Sequence, residues 1–299
     1  MRFWKVKLAS VEVVVTVDLR LRERVRNNPW LGKLLGLIGM RFDDAPPPEP
    51  DLGSPRVDKP DGSPEQAVIL EKLKGIEWYH SIEVSPGITT PGAFDIKRQL
   101  GHYHLPSNLE GQRVMDIATK DGFFAFEFEK RGADEVVALD IDTYAELDWP
   151  PRLRPTLDPE MLAGKMGSGF EVAHELLQSK VVRHIENVYQ MSPESVGQFD
   201  LTFSGSYLLH LMNPQLALAN MCKITRGKAI ICDQFTPNVP REFMYFAGAA
   251  VDMCWWYYSI EALEKMILNA GFREVKLLDK FELKAVKGEM WHATFEASV

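Results

Sequence analysis

The sequence predicts an α/β fold, a doubly wound and mostly parallel sheet of seven strands carrying an N-terminal extension. Three observations point there. From residue 65 onward, short apolar runs rich in β-branched residues alternate with longer helical stretches. A proline-rich segment separates this region from a basic start. The 299 residues, 45% hydrophobic and 25% charged, are enough for one large α/β domain with additions.

The start of the chain is unlike the rest. Residues 1–42 hold nine Lys/Arg against three Asp/Glu, a balance of +6, so with a total of −8 the remainder carries −14. Val11, Val13, Val15 and Val17 alternate with other residues, which suits a strand. Residues 19–26 are mostly charged, and Pro29–Ile38 is an apolar run too short to span a bilayer. Two readings stay open. The extension packs on the main domain or on a second subunit, or it is a basic, Trp-bearing segment that touches an anionic membrane surface. It is no secretory leader by pattern, because Glu12 interrupts the apolar stretch and no small-residue cleavage site follows. Residues 45–64 contain seven prolines, which remove donors and stiffen the chain, so this segment reads as a linker. The predicted organisation is therefore an extension over 1–44, a linker over 45–64 and a main domain over 65–299.

In the main domain, strands are predicted over 112–117, 135–140, 181–185, 199–204, 228–233, 275–278 and 292–295. Helices are predicted over 123–131 with Gly132 closing the end, over 170–179 and 214–224, and over 260–270 between Ser259 as cap and Gly271 as stop. A long insertion between Asp148 and Gly169, rich in Pro and Gly, reads as a mobile flap. Several function classes drop out. No apolar stretch is long enough for a transmembrane helix. Three cysteines (Cys222, Cys232, Cys254) without CxxC spacing suit neither a disulfide scaffold nor a structural zinc site, and they point to a reducing, cytoplasmic setting. The acidic main domain argues against nucleic acid as partner. His102 and His104 lack an acid cluster in the sequence around them, so no metal site is assigned to them, and a metal requirement stays open only if Asp140, Asp142, Asp148 and Asp233 converge.

Ligands in doubly wound folds bind beyond the carboxyl ends of the strands. The strand ends here are Asp116, Asp140, 188–190, 204–210 and Asp233. Asp116 closes a strand before a tight turn, and Asp140 closes the next strand twenty-four residues on, where an acid can hydrogen-bond ribose hydroxyls. NAD sites share this spacing, and an acid at a strand end is also a common helix cap, so the spacing alone leaves a nucleotide site open.

Several segments taken together resemble the class I S-adenosylmethionine-dependent methyltransferases, in the branch that includes the tRNA wobble-uridine carboxymethyltransferase. They are WYHSIE from Trp78, Thr90-Pro91-Gly92, DIATKDGFFAFE from Asp116, VVALDI ending beyond Asp140, GFEVAHELLQSKV from Gly169 and FDLTFSGSYLLHLMNPQLAL from Phe199. The resemblance covers roughly residues 75–299. It implies a Rossmann-like sheet and S-adenosyl-L-methionine as cofactor. The turn containing Asp116, Ala118, Thr119 and Gly122 would wrap the methionine half, Asp140 would bind the ribose, and Ile141, Val188, Tyr189 and Gln190 would meet the adenine. Ser204 and Gly205 would lie along the sulfonium. The sequence departs from the family's acid-x-Gly-x-Gly-x-Gly motif, with Ala118 and Lys120 at two of the glycine positions. Ala118 fits if its φ is negative, and the Lys120 side chain is expected to point out of the cleft.

Methyl transfer from a sulfonium needs alignment and exclusion of water more than acid chemistry. A base is required only when the nucleophile is a hydroxyl or carbon acid, and His210, His80 and Asp233 are the candidates. Trp78 and Tyr79, with Trp255 and Trp256 of the aromatic stretch 244–258, are expected to wall the acceptor, although that stretch also reads as core or homodimer packing. The leading expectation is methylation of a small-molecule hydroxyl on a sugar, glycolipid or polyketide-like acceptor. A tRNA-modifying enzyme and a non-catalytic cofactor-binding protein are the alternatives.

Overall fold

The computed structural model describes residues 3–8, 11–16, 54–249, 253–285 and 288–299. The chain divides into two compact units, Met1–Asp51 and Leu52–Val299, and the division falls inside the proline-rich segment. In the first unit β1 (Phe3–Leu8) and β2 (Val11–Thr16) pair antiparallel, Phe3 opposite Thr16 and Leu8 opposite Val11. Val11, Val13 and Val15 of the valine alternation belong to β2, and Val17 lies outside the described residues. The charged stretch 19–26 and the apolar run 29–38, and with them the membrane contact expected of residues 1–42, lie outside the described residues.

Part of the stretch read as a linker takes part in a sheet of the second unit. β3 (Arg56–Val57) and β4 (Glu83–Ser85) flank β5 (Ile88–Thr89) in a small antiparallel sheet. Helix α1 (Pro64–Lys72) lies between the first two of these strands in sequence, with Ser63 accepting the Gln66 amide at its N-terminus.

The central sheet has seven strands. β6 (Arg113–Ile117), β7 (Glu135–Asp140), β8 (Val182–Ile185), β9 (Phe199–Gly205) and β10 (Thr225–Gln234) run parallel, in the spatial order 8-7-6-9-10. After a two-stranded ribbon of β11 (Met244–Phe246) and β12 (Trp256–Tyr258), β13 (Glu274–Ala285) and β14 (Gly288–Ser298) complete it. β14 inserts antiparallel between β10 and β13. The doubly wound expectation holds, and the last two strands are much longer than the short apolar runs that announced them.

Alternation along the strands builds two cores. Met115, Ile117, Val137, Leu139 and Ile231 face one side, where α6 (Pro214–Ile224) and α7 (Ile260–Asn269) supply Leu218, Met221, Leu263 and Ile267. Val114, Val136, Ala138 and Ile230 face the other, where α2 (Phe123–Lys130) and α4 (Ser168–Leu177) supply Phe126, Phe128, Phe170 and Ala173. Two shorter helices, α3 (Pro159–Ala163) and α5 (Pro193–Val196), sit in the connections. With helices on both faces, only the strand ends remain open to a ligand.

Candidate active site

A cavity of about 280 Å³ opens at the carboxyl ends of β6, β7 and β9. The turn between β6 and α2 forms one wall, and it differs from the expectation. Ala118 has φ +59° and Lys120 φ +52°, both in the left-handed region, where a side chain costs of order 1 kcal/mol or more. Hydrogen bonds over-determine the turn. The Lys120 amide donates to Asp140 Oδ2 at 2.8 Å, Thr119 N to the Leu139 carbonyl at 3.1 Å, and Thr119 Oγ1 to Asp116 Oδ2 at 2.6 Å. Asp116 Oδ2 also accepts the Ala125 amide at 3.1 Å. Lys120 does not leave the cleft. It contributes to the lining, with Nζ 5.8 Å from the centre of the Tyr144 ring.

Asp116 and Asp140 both line the cavity. Burial pushes the Asp116 carboxyl up to about 7. Burial also raises Asp140, against the pull of its two amide donors, Lys120 and Ile141. Glu146, Asp148 and Glu186 add further carboxylates, while Lys120 is the only ammonium or guanidinium among the described lining residues. The cavity is thus suited to a ligand with positive charge.

The residues expected to meet an adenine divide. Ile141, Val188 and Tyr189 line the cavity together with Glu186 and Asn187. Gln190 does not, because its side chain is exposed beyond the turn that its amide closes on the Asn187 carbonyl. Gly122 is not on the wall either. At φ +87° it begins α2, and a Cβ there would lie 2.7 Å from both Phe126 Cε2 and Phe170 Cδ2, so this glycine serves packing.

The opposite wall holds the chemistry-bearing candidates. Gly205 lines the cavity at the end of β9, while Ser204 is fully buried behind it. His210 lines the cavity from a short 3-10 turn over Leu208–His210, its Nδ1 3.3 Å from the Met253 carbonyl. Asp233 holds that turn and does not reach the cavity. One carboxylate oxygen accepts the Leu208 amide at 2.9 Å and the other accepts Gln234 at 2.8 Å. Its place among the bases is therefore corrected to a capping role.

His80 also lines the cavity and is 6% exposed. Its Nδ1 has no hydrogen-bond partner. Burial first, and the Lys120 charge second, push its imidazole down to about 3, so it is neutral at physiological pH. The backbone holds it firmly. Asp121 Oδ2 accepts the amides of Tyr79 and His80 at 2.5 and 2.9 Å, and Thr90 Oγ1 donates to the His80 carbonyl at 2.8 Å. Gly92 crosses so closely that a Cβ would fall 1.9 Å from the His80 carbonyl carbon.

Of the four expected wall aromatics only Tyr79 lines the cavity. Trp78 is buried behind it, donating to the Leu73 carbonyl at 3.2 Å. Trp255 and Trp256 donate to the carbonyls of Asp148 and Met212, at 2.8 and 3.2 Å. They are ties between loops, because an indole N–H in a crowded site is satisfied by the nearest carbonyl. The insertion after β7 is likewise tied down. Tyr189 Oη donates to the Asp148 carboxylate, which also accepts the Met212 amide at 2.5 Å.

Sequence reasoning missed Phe124, Tyr144, Leu147, Met166 and Met253, all of which line the cavity. Ser206 and Tyr207 also line it; they fall inside the strand-end stretch 204–210 marked out from the sequence, which assigned neither a role. The insertion residues carry no local signal. His102 and His104 both approach Asp279, at 2.8 and 3.4 Å, an acid distant in sequence. No group of three or more His, Cys, Asp or Glu among the described residues is arranged to hold a metal ion.

No family model matches the chain. The tRNA U34 carboxymethyltransferase of Pseudomonas fluorescens strain Pf-5 is 23% identical over 180 residues, 58% of this chain and 49% of that protein. Its counterpart in Pseudomonas savastanoi pv. phaseolicola is 22% identical over 176 residues, with the same coverage. The chain spans about half the length of the curated relatives it matches. Among solved structures, the N-terminal domain of EvdMO1 crystallised in the presence of SAH and D-fucose superimposes with a TM-score of 0.52 at 14% identity, covering 79% of this chain and 97% of that one. The same domain with SAH bound gives 0.52 at 13% identity. The chain has the fold of the class I S-adenosylmethionine-dependent methyltransferases. The cavity described above lies at the ends of β6 and β7, and Gly205 at the end of β9 also lines it.

Proposed function

We propose that this protein binds S-adenosyl-L-methionine and transfers its methyl group to a hydroxyl oxygen of a small-molecule acceptor. The observation that carries this reading is Asp140 at the end of β7, facing a cavity whose lining holds five carboxylates and one lysine. A sulfonium that also bears an ammonium finds complementary charge there, and the ribose hydroxyls find an acid whose oxygens retain lone pairs beside their amide donors. Of the turn residues, Asp116, Ala118 and Thr119 are the ones that would border the methionine half. Ile141, Val188 and Tyr189 would border the adenine.

The sulfonium makes S-adenosylhomocysteine a good leaving group, so the chain's task is alignment and a dry site. Tyr79, Phe124, Tyr207 and Met253 would exclude water around the reacting atoms. His210 is the base we assign to the acceptor hydroxyl. His80 is too weak a base when held near 3, and it serves as a neutral polar wall.

One observation favours a second reading. The curated relatives modify tRNA. The −14 balance outside residues 1–42 weighs against an RNA acceptor, since phosphate contacts need Lys and Arg.

Isothermal titration with S-adenosylhomocysteine, and separately with NAD, tests the donor. Binding of the former alone is expected, and binding of NAD alone would refute the reading. Transfer of tritiated methyl to a panel of hexoses and phenols, with bulk tRNA as the competing acceptor, then tests the acceptor class. Label appearing only in tRNA would favour the second reading.

A further inference from the structure

We propose that His292, acting through Ser206, fixes the hydrogen-bonding sense of the acceptor end of the cavity, so that the ligand group held there is an O–H or N–H donor. The inference rests on the methyl-transfer reading above. Ser206 and His292 form a hydrogen-bonded pair at the cavity wall. Ser206 lines the cavity, and its Oγ lies 2.8 Å from His292 Nε2. His292 comes from the far end of the sequence, on β14, and is 1% exposed. Its Nδ1 lies 3.1 Å from the Met290 carbonyl.

The protons in this chain of atoms can be placed. A carbonyl oxygen only accepts, so His292 Nδ1 must carry a proton to bond Met290. Burial pushes the His292 imidazole down to about 4, so at neutral pH it holds one proton and not two. Nε2 is therefore bare and must accept. Ser206 must then donate to it. With its single proton committed, Ser206 Oγ faces the cavity as an acceptor alone.

The backbone supports the same arrangement. Ser206 has φ +56°, a strained value for a residue with a side chain, and its amide donates to the Cys232 carbonyl at 2.8 Å. That conformation turns the strand end back toward β10, whose Gln234 pairs with His292. The pair reaches the cavity from the side opposite β7, so it lies away from the acid that suits a ribose and beside Tyr207 and His210. An acceptor that gives a hydrogen bond to Ser206 from an O–H or N–H beside the nucleophile is held in one orientation, and the nucleophilic hydroxyl keeps its single proton for His210. His292 touches no ligand in this scheme and is a positioning residue.

Two measurements test it. The first is nitrogen NMR of the full chain labelled in its histidines. At pH 7, His292 is expected as the Nδ1–H tautomer with an unprotonated Nε2, and Ser206→Gly, which also relaxes the left-handed backbone, should move the Nε2 resonance. An Nε2–H tautomer would overturn the proposal. The second is steady-state methyl transfer to whichever hexose or phenol takes the label. Ser206→Gly and His292→Leu are expected to raise the acceptor KM by about ten- to hundredfold, the usual effect of leaving a buried polar group unmatched. S-adenosylhomocysteine affinity should stay within about twofold of wild type. His292→Gln, whose amide oxygen can accept from Ser206, should recover most of the loss. Unchanged acceptor KM in Ser206→Gly and His292→Leu, or a parallel loss of S-adenosylhomocysteine binding, would refute the assignment. Failure of the wild-type chain to bind S-adenosylhomocysteine would instead refute the methyl-transfer reading, and the tautomer would still decide the pair.

Discussion

Tyr189 and Asp148 are joined hydroxyl to carboxylate, and this bond binds the insertion after β7 to the residues that follow β8. The same carboxylate takes the Met212 amide, while the Tyr189 oxygen accepts the Asn213 amide at 3.0 Å. One acid thus gathers three loops around the cavity. Tyr189→Phe is expected to weaken S-adenosylhomocysteine binding about tenfold and to expose residues 142–166 to protease. Wild-type affinity and an unchanged digestion pattern would show that the insertion is held by other contacts.

Asp140→Ala should abolish donor binding. The substitution removes the proposed ribose partner and also orphans the Lys120 and Ile141 amides, so the turn loosens as well. Asp140→Asn keeps an acceptor oxygen and should lose less. Calorimetry with S-adenosylhomocysteine checks both, and undiminished affinity in the alanine variant would remove Asp140 from the site.

His210→Ala is expected to lower kcat by about a hundredfold with donor affinity intact, as for loss of a general base. Full turnover on the labelled acceptor would assign proton removal to solvent or to the substrate itself.

Ala118→Gly should leave stability unchanged or raise it by about 0.5–1 kcal/mol, because relief of the left-handed strain outweighs the extra freedom of the unfolded chain. Thermal melting measures this. A clear loss of stability would show that the Ala118 methyl packs well enough to offset its backbone.

Stability should fall as pH rises from about 5 to 8. Asp116 and Asp233 are pushed up to about 7 and Asp121 to about 6, each chiefly by burial, against 3.8 for an ordinary aspartate. Between the ordinary and raised values the folded chain holds protons that the unfolded chain has released, so folding is favoured at the acidic end and the advantage is lost above 7. Asp233→Asn, which keeps one acceptor oxygen, should flatten the decline in melting temperature. His80 and His292, pushed down to about 3 and about 4, oppose the decline below about 6.5, so the deciding interval is about 6.5 to 8, where a rising melting temperature would contradict the burial of these acids.

The sheet was legible because its strands are apolar runs of the right length between helix signals, and Asp140, at the last position of such a run, fell where a strand-end acid belongs. The 259–271 helix was legible from its cap and its glycine stop, since both act within one turn of chain. Asp233 illustrates what sequence cannot decide. A strand-end acid caps a turn or meets a ligand according to where Leu208 folds, and that depends on packing between distant elements. The φ of Ala118 and the direction of the Lys120 side chain were misjudged for the same reason, because the turn that sets both is held by Asp140, twenty residues beyond Lys120. His292 carried no signal at all, because its partner Ser206 is 86 residues distant and is brought near only by the pairing of β10 with β14.

That pairing also sets an order of events during synthesis. β14 emerges from the ribosome after both neighbours between which it inserts. Until it arrives, β10 and β13 each present an unpaired edge, the kind of surface that recruits other chains. A nascent or prematurely stopped chain would carry most of the donor-side wall yet remain exposed to edge-to-edge association. A chaperone that shields strand edges would matter most in that interval.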